Sequence, residues 1–186
     1  GITFCACGKS DTNAKIVASN SEIELILGTE QETKSVEFEL KDYGSGSDQL
    51  NFDLEENDKD KVSISPTYKK NGKTVLTVQG KSRGTARIFV TSLQGSQKFV
   101  LTVKVIQPIT GLELKTEYTN SLYAIAGKSL SLSQQEIWNF IPSNTNQRDL
   151  VFSFVGESQG CEIVDGKLTD HIVAPVVISG SVVELL

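Results

Sequence analysis

The chain has 186 residues, and 18 Lys and Arg against 23 Asp and Glu leave a formal net charge of −5. That length suits one large domain or two small ones, and 38% hydrophobic with 22% charged residues excludes a wholly disordered, collagen-like or coiled-coil chain. No basic stripe runs along the sequence, so neither nucleic acid nor an anionic membrane surface is expected as a partner, and one His with three Cys leaves little material for acid–base chemistry or metal binding.

The first segment, Gly1-Ile2-Thr3-Phe4-Cys5-Ala6-Cys7-Gly8-Lys9-Ser10, has two main readings. In the first, an apolar stretch, the small Ala6 just before Cys7 and a hydrophilic continuation resemble the end of a bacterial lipoprotein signal peptide. Cleavage needs a small residue before the cysteine, so Cys7 qualifies and Cys5, preceded by Phe4, does not. That resemblance implies lipidation of Cys7, with residues 8–20 as a solvated tether. In the second, Ile2, Phe4 and Ala6 belong to a strand of a preceding repeat. A cloning remnant is the third and least favoured reading. The lack of any Met and the apolar end at Val182-Val183-Glu184-Leu185-Leu186 lead to the expectation of a processed chain or a fragment. No run of about 18 or more residues is apolar enough to span a bilayer as a helix.

From Ser21 to Ile106 apolar and polar residues alternate, the pattern of strands with one face in a core. The inward rows are Ile23/Leu25/Leu27, Val36/Phe38/Leu40, Leu50/Phe52/Leu54, Val62/Ile64 ending at Pro66, Leu76/Val78, Ala86/Ile88/Val90 and Phe99/Leu101/Val103/Val105. Seven strands are predicted, separated by turn residues. Asn71-Gly72 is the strongest turn signal, because both residues tolerate the positive φ of a type I′ hairpin. Seven short strands in one domain predict an antiparallel β-sandwich. Gln107-Pro108-Ile109-Thr110-Gly111 interrupts the pattern and marks a domain boundary, with a join too short for free motion. Beyond it Leu112/Leu114, Leu130/Leu132, Trp138/Phe140 and Leu150/Phe152/Phe154 alternate, Ile163 and Leu168 flank an Asp165-Gly166 turn, and residues 172–186 supply the last one or two strands.

Gly84-Thr85-Ala86-Arg87-Ile88-Phe89-Val90, closed by Phe99 to Val105, together with Pro142-Ser143-Asn144-Thr145-Asn146, Val151-Phe152-Ser153 and Asp165-Gly166-Lys167-Leu168-Thr169, resembles the bacterial Ig-like domain, group 2, of intimin- and invasin-type surface proteins. The resemblance covers about residues 20–186. It implies tandem β-sandwiches used as a stalk or binding module on a cell surface, and no catalytic residues.

Three groups of residues carry chemical potential. Gly156-Glu157-Ser158-Gln159-Gly160 matches a nucleophile elbow, with His171 and Asp165 or Asp170 downstream, but that elbow requires a strand-to-helix turn and Cys161 to Leu168 reads as strand and turn. Asp53, Glu55, Glu56, Asp58 and Asp60 offer carboxylates of the kind calcium prefers, yet Lys59 and Lys61 neutralise the run and it reads as a solvated loop. Trp138, Tyr118, Tyr123 and Tyr43 suggest a sugar-stacking platform, although the alternation of Trp138 with Phe140 favours core. Cys161, the one Cys within the sandwiches, is expected as a buried small hydrophobe; no CxxC spacing supports zinc. His171 is expected as an ordinary surface or edge residue.

The combined expectation is all-β: two tandem Ig-like antiparallel β-sandwiches, with 1–20 a lipoprotein signal remnant and tether, 21–106 the first sandwich and 107–186 the second, divergent or truncated at its end. The expected function is a non-catalytic cell-surface module of a bacterial envelope lipoprotein, acting in adhesion or as a spacer. The alternative is an accessory spacer or carbohydrate-binding segment of a larger secreted glycan-degrading enzyme, which a solvent-facing Trp138 would favour. Neither cofactor nor metal is expected. The expected partner is a cell-surface protein or glycan, with membrane contact through the lipid anchor alone and no nucleic acid.

Overall fold

The computed structural model describes residues 13–93, 97–118, 121–124, 130–132, 135–154, 157, 160, 162–165, 167–168 and 176–179. The chain divides into two compact units, Gly1–Ile106 and Gln107–Leu186.

In the first unit eight strands build two four-stranded sheets. One sheet runs in the order β1 (Lys15–Ala18), β3 (Thr33–Lys41), β6 (Lys73–Gly80), β5 (Val62–Tyr68). The other runs β2 (Glu22–Ile26), β8 (Lys98–Ile106), β7 (Gly84–Ser92), β4 (Leu50–Leu54). The predicted inward rows meet between them. Val36, Phe38, Leu40, Leu76 and Val78 from one sheet and Leu25, Ala86, Ile88, Val90, Leu101, Val103 and Val105 from the other form one buried cluster. Phe38 anchors it, edge-on to Phe52 at 5.3 Å and to Phe99 at 5.8 Å between ring centroids, geometries that suit the aromatic quadrupole. The strand order is that of an immunoglobulin-type Greek-key sandwich, with the first strand split between the two sheets.

Three details differ from the expectation. Residues 15–18, within the segment expected as tether, form β1: Ile16 pairs with Leu40, and Ala14 and Ile16 are buried in the core. The short Lys-Ile-Val-Ala run carries too little alternation to be legible alone; the free edge of β3 gives it a partner. All ladders are antiparallel except β2 with β8, which is parallel because the chain crosses between sheets after β1. Pro66 does not end its strand, since β5 lies at the sheet edge, where a missing N–H is tolerated.

In the second unit the described ladders are β9 (Gly111–Leu114) with β12 (Trp138–Ile141), β10 (Ser121–Ala124) with β15 (Val176–Ser179), and β14 (Lys167–Leu168) between β11 (Leu130–Ser131) and β13 (Ile163–Val164), all antiparallel. Its core gathers Ile109, Leu114, Ile137, Trp138 and Phe140, with Leu112, Leu150 and Phe152 against it. Residues 150–154 make no ladder among the described residues, contrary to the alternation; Leu150 and Phe152 lie on the core while Val151 is 95% exposed, so the period of two reflects which side of the segment meets the core. The polar loop 143–147 has a structural task. Asn146 Oδ1 accepts the Gln107 N–H at 2.9 Å, Gln147 Oε1 accepts the Ile109 N–H at 2.9 Å, and the buried Thr145 hydroxyl donates to the Gln107 carbonyl at 2.6 Å. These side chains satisfy backbone groups flanking Pro108, which itself has no N–H to offer a ladder.

Candidate functional site

Two ends of the first sandwich concentrate its polar chemistry. At the end where β7 begins, the link from β4 to β5 makes a short 3-10 turn, Glu56–Asp58. Asp58 points inward from it and is only 7% exposed. Its Oδ2 accepts the Arg87 N–H at 3.0 Å and its Oδ1 accepts from Lys61 Nζ at 2.9 Å. The Arg87 hydrogen bond first, and then the Lys61 ammonium, hold the Asp58 carboxyl below its ordinary range. Lys61 is itself gripped: its ammonium reaches the Thr85 carbonyl at 3.3 Å, and its own carbonyl accepts from the Lys81 and Ser82 N–H groups at 2.7 and 3.2 Å. A Cβ on Gly84, whose φ is +130°, would lie 3.1 Å from Lys61 Cε, so Gly84 supplies both the backbone conformation and the space for the lysine stem. The Gly84 to Val90 motif is therefore a structural corner followed by a core strand, with Ala86, Ile88 and Val90 fully buried.

At the opposite end three connections are laced together. The Gly72 carbonyl accepts the Leu40 N–H at 2.9 Å, the Gly72 N–H donates to Asp48 Oδ2 at 3.1 Å, and the Leu93 N–H donates to the Gln49 carbonyl at 3.3 Å. Asn71 and Gly72 have φ of 61° and 73°, as the hairpin signal requires. Lys15, Lys41, Lys69, Lys70, Lys73 and Lys98 all lie at this end and all are exposed. The sequence gives no local sign of this grouping, because the six residues are distributed over more than eighty positions.

The fold sorts the sequence candidates into structural and undescribed positions. Of the acidic run, Asp53, Glu55, Glu56 and Asp60 are exposed, whereas Asp58 is buried and bonded; the run is not a uniformly solvated loop. Among the described residues no group of three or more His, Cys, Asp or Glu is placed to hold a metal ion. Trp138 is 7% exposed, donates its indole N–H to the Leu132 carbonyl at 2.8 Å and packs on Phe152 at 6.0 Å. It is a core residue and presents no stacking face. Tyr43 packs partly buried against the first core. Asp165 sits in the β13–β14 turn with φ of 50°. Cys5, Cys7, Ser158, Cys161, Asp170 and His171 lie outside the described residues, as do the side chains of Tyr118 and Tyr123.

No family model matches the chain, and no curated protein sequence matches it. Solved structures to which it is similar include domains 5–6 of the S-layer protein SbsC, 13% identical, covering 89% of this chain and 83% of that one with a TM-score of 0.41. Domains 4 and 5 of SbsC are 18% identical over 48% of this chain with a TM-score of 0.38. The Escherichia coli adhesin FdeC is 18% identical over 62% of this chain and 37% of its own, with a TM-score of 0.35. The chain spans 50% of the SbsC domain 4 and 5 chain and 22% of the longer rSbsC(31-844) chain. The assignment to an immunoglobulin-type β-sandwich rests on this chain's own strand order and shared core.

Proposed function

We propose that the chain is a non-catalytic, surface-displayed module of a bacterial envelope lipoprotein, of the group 2 Ig-like type, tethered through Cys7 and serving in adhesion or as a spacer. The observation that carries this reading is the structural role of the Gly84 to Val90 motif, the segment on which the family resemblance rests. Its glycine, its buried alanine and aliphatic residues and its Arg87 N–H are all engaged in closing the sandwich around Asp58 and Lys61, as a motif kept for architecture would be. Among the described residues, two of the sequence candidates are similarly engaged. Asp58 ties a corner and Trp138 fills a core, so Trp138 gives no support to the accessory carbohydrate-binding reading, which called for it to face solvent. The test is metabolic labelling of the natural full-length protein with a fatty acid in a bacterial host. Label in the wild type, lost in Cys7→Ser together with membrane fractionation that survives a wash in about 1 M salt, where charge contacts are screened, supports the reading; an unlabelled wild type defeats the anchor.

A further inference from the structure

The lysines of the first unit are unevenly placed. Lys15 stands directly opposite Lys41 in the β1–β3 ladder, where like charges repel. The β5–β6 turn adds Lys69, Lys70 and Lys73, held to this end by the Gly72 bonds to Leu40 and Asp48, and β8 begins here at Lys98. Among the described residues none of the six is in an ion pair. Among the described residues the acids at this end are Glu39, opposite Lys73, with Asp42 and Asp48, and Asp48 already holds the Gly72 N–H. One end of an acidic protein is thus locally basic. β8, nine residues long, spans about 30 Å, several times the screening length of about 8 Å at physiological ionic strength, so the acidic groups near its far end do not cancel this field.

We propose that the lysine end docks on the anionic lipid headgroups of the membrane that holds Cys7, an electrostatic contact that orients the sandwich beside its acyl anchor. The proposal rests on the Cys7 reading for its occupant. The eight residues from Cys7 to Lys15 reach at most about 28 Å, so an acylated chain keeps this end at the bilayer at high effective concentration. All six cations are lysines, compact point charges suited to a diffuse layer of headgroups and unlike the forked arginine that reads bidentate targets. Docked in this way, the first sandwich presents Ile106, at the far end of β8, away from the bilayer.

The experiment uses the chain carrying Cys7→Ser, which has no acyl group, so that the basic end is tested apart from the anchor. It should co-sediment with vesicles of equimolar phosphatidylcholine and phosphatidylglycerol and not with pure phosphatidylcholine. Binding should vanish near 1 M salt, where the screening length falls to about 3 Å. With each surface lysine contributing about fivefold, K69E/K70E/K73E should weaken it by at least about a hundredfold, while K59E/K81E/R83E at the opposite end should leave it unchanged. Circular dichroism and thermal transitions establish that both variants fold. Equal sedimentation with the two vesicle types, or full binding by K69E/K70E/K73E, overturns the proposal. Binding of double-stranded DNA or heparin without vesicle sedimentation also overturns it, in favour of another polyanion. Fatty-acid label on Cys7 with no vesicle binding sinks the docking contact and leaves the anchor standing; an unlabelled Cys7 sinks the anchor, and the vesicle result still decides the basic end.

Discussion

Replacing Asp58 with Ala leaves the Arg87 N–H without its acceptor and the Lys61 ammonium without its carboxylate. A donor stripped of its partner costs about 1–3 kcal/mol when buried, and the Arg87 N–H is part-buried, so urea denaturation of Asp58→Ala should show a loss of about 1–2 kcal/mol. The same carboxylate makes stability depend on pH. Its folded pKa is depressed below the ordinary 3.8, so its contribution is present in full above that value and is lost as the pH falls below it, through the folded pKa. An acid-unfolding curve should therefore be shallower below about pH 4 in Asp58→Ala than in the wild type. Two glycines separate backbone strain from space. Gly28 has φ of +76°, and a Cβ added to it would meet nothing within 4 Å, whereas a Cβ on Gly72, φ +73°, would lie 2.5 Å from the Leu40 carbonyl oxygen. Gly28→Ala should cost about 1 kcal/mol for the left-handed backbone alone, and Gly72→Ala at least about 2–3 kcal/mol, because Leu40 is a β3 residue paired with Ile16 and bonded through its N–H to Gly72, so its backbone resists moving away. Thermal or urea melts of the two variants side by side read that difference.

Among the elements, β1 and the 143–147 loop show how partners decide structure. The residues of β1 are expected from sequence as tether, yet Ile16 is buried against the core formed by strands more distant in the chain. Ile16→Ala should therefore destabilise the first unit by about 2 kcal/mol, read as a shift of its urea midpoint, whereas a free tether would give no shift. The opposite outcome holds at 150–154, where alternation predicts a strand and the described residues show no ladder. Alternation reports which side of an extended segment meets apolar surface; it does not report whether a neighbouring backbone is in register. Hairpin turns are better encoded, because Asn71, Gly72 and Asp165 carry their φ preferences locally.

For the whole molecule, each unit has its own core, and the chain's one Trp lies in the second. Native Trp138 emission should be blue-shifted and should move to the red as that core opens. Trp138→Phe removes the indole bond to the Leu132 carbonyl and should lower the second unit's stability by about 1–2 kcal/mol. The amino-acid sequence by itself determined that the chain is all-β, which residues of the first unit face its core and where its tightest turns fall, because strand period and turn chemistry are properties of a few adjacent residues. Only the tertiary structure decided that Asp58 turns inward, that Trp138 is enclosed, that residues 15–18 find a ladder and that lysines 15, 41, 69, 70, 73 and 98 share one end. Those facts depend on which distant strands become neighbours in the Greek-key order, and a linear reading of a net charge of −5 averages away the basic end that the fold assembles.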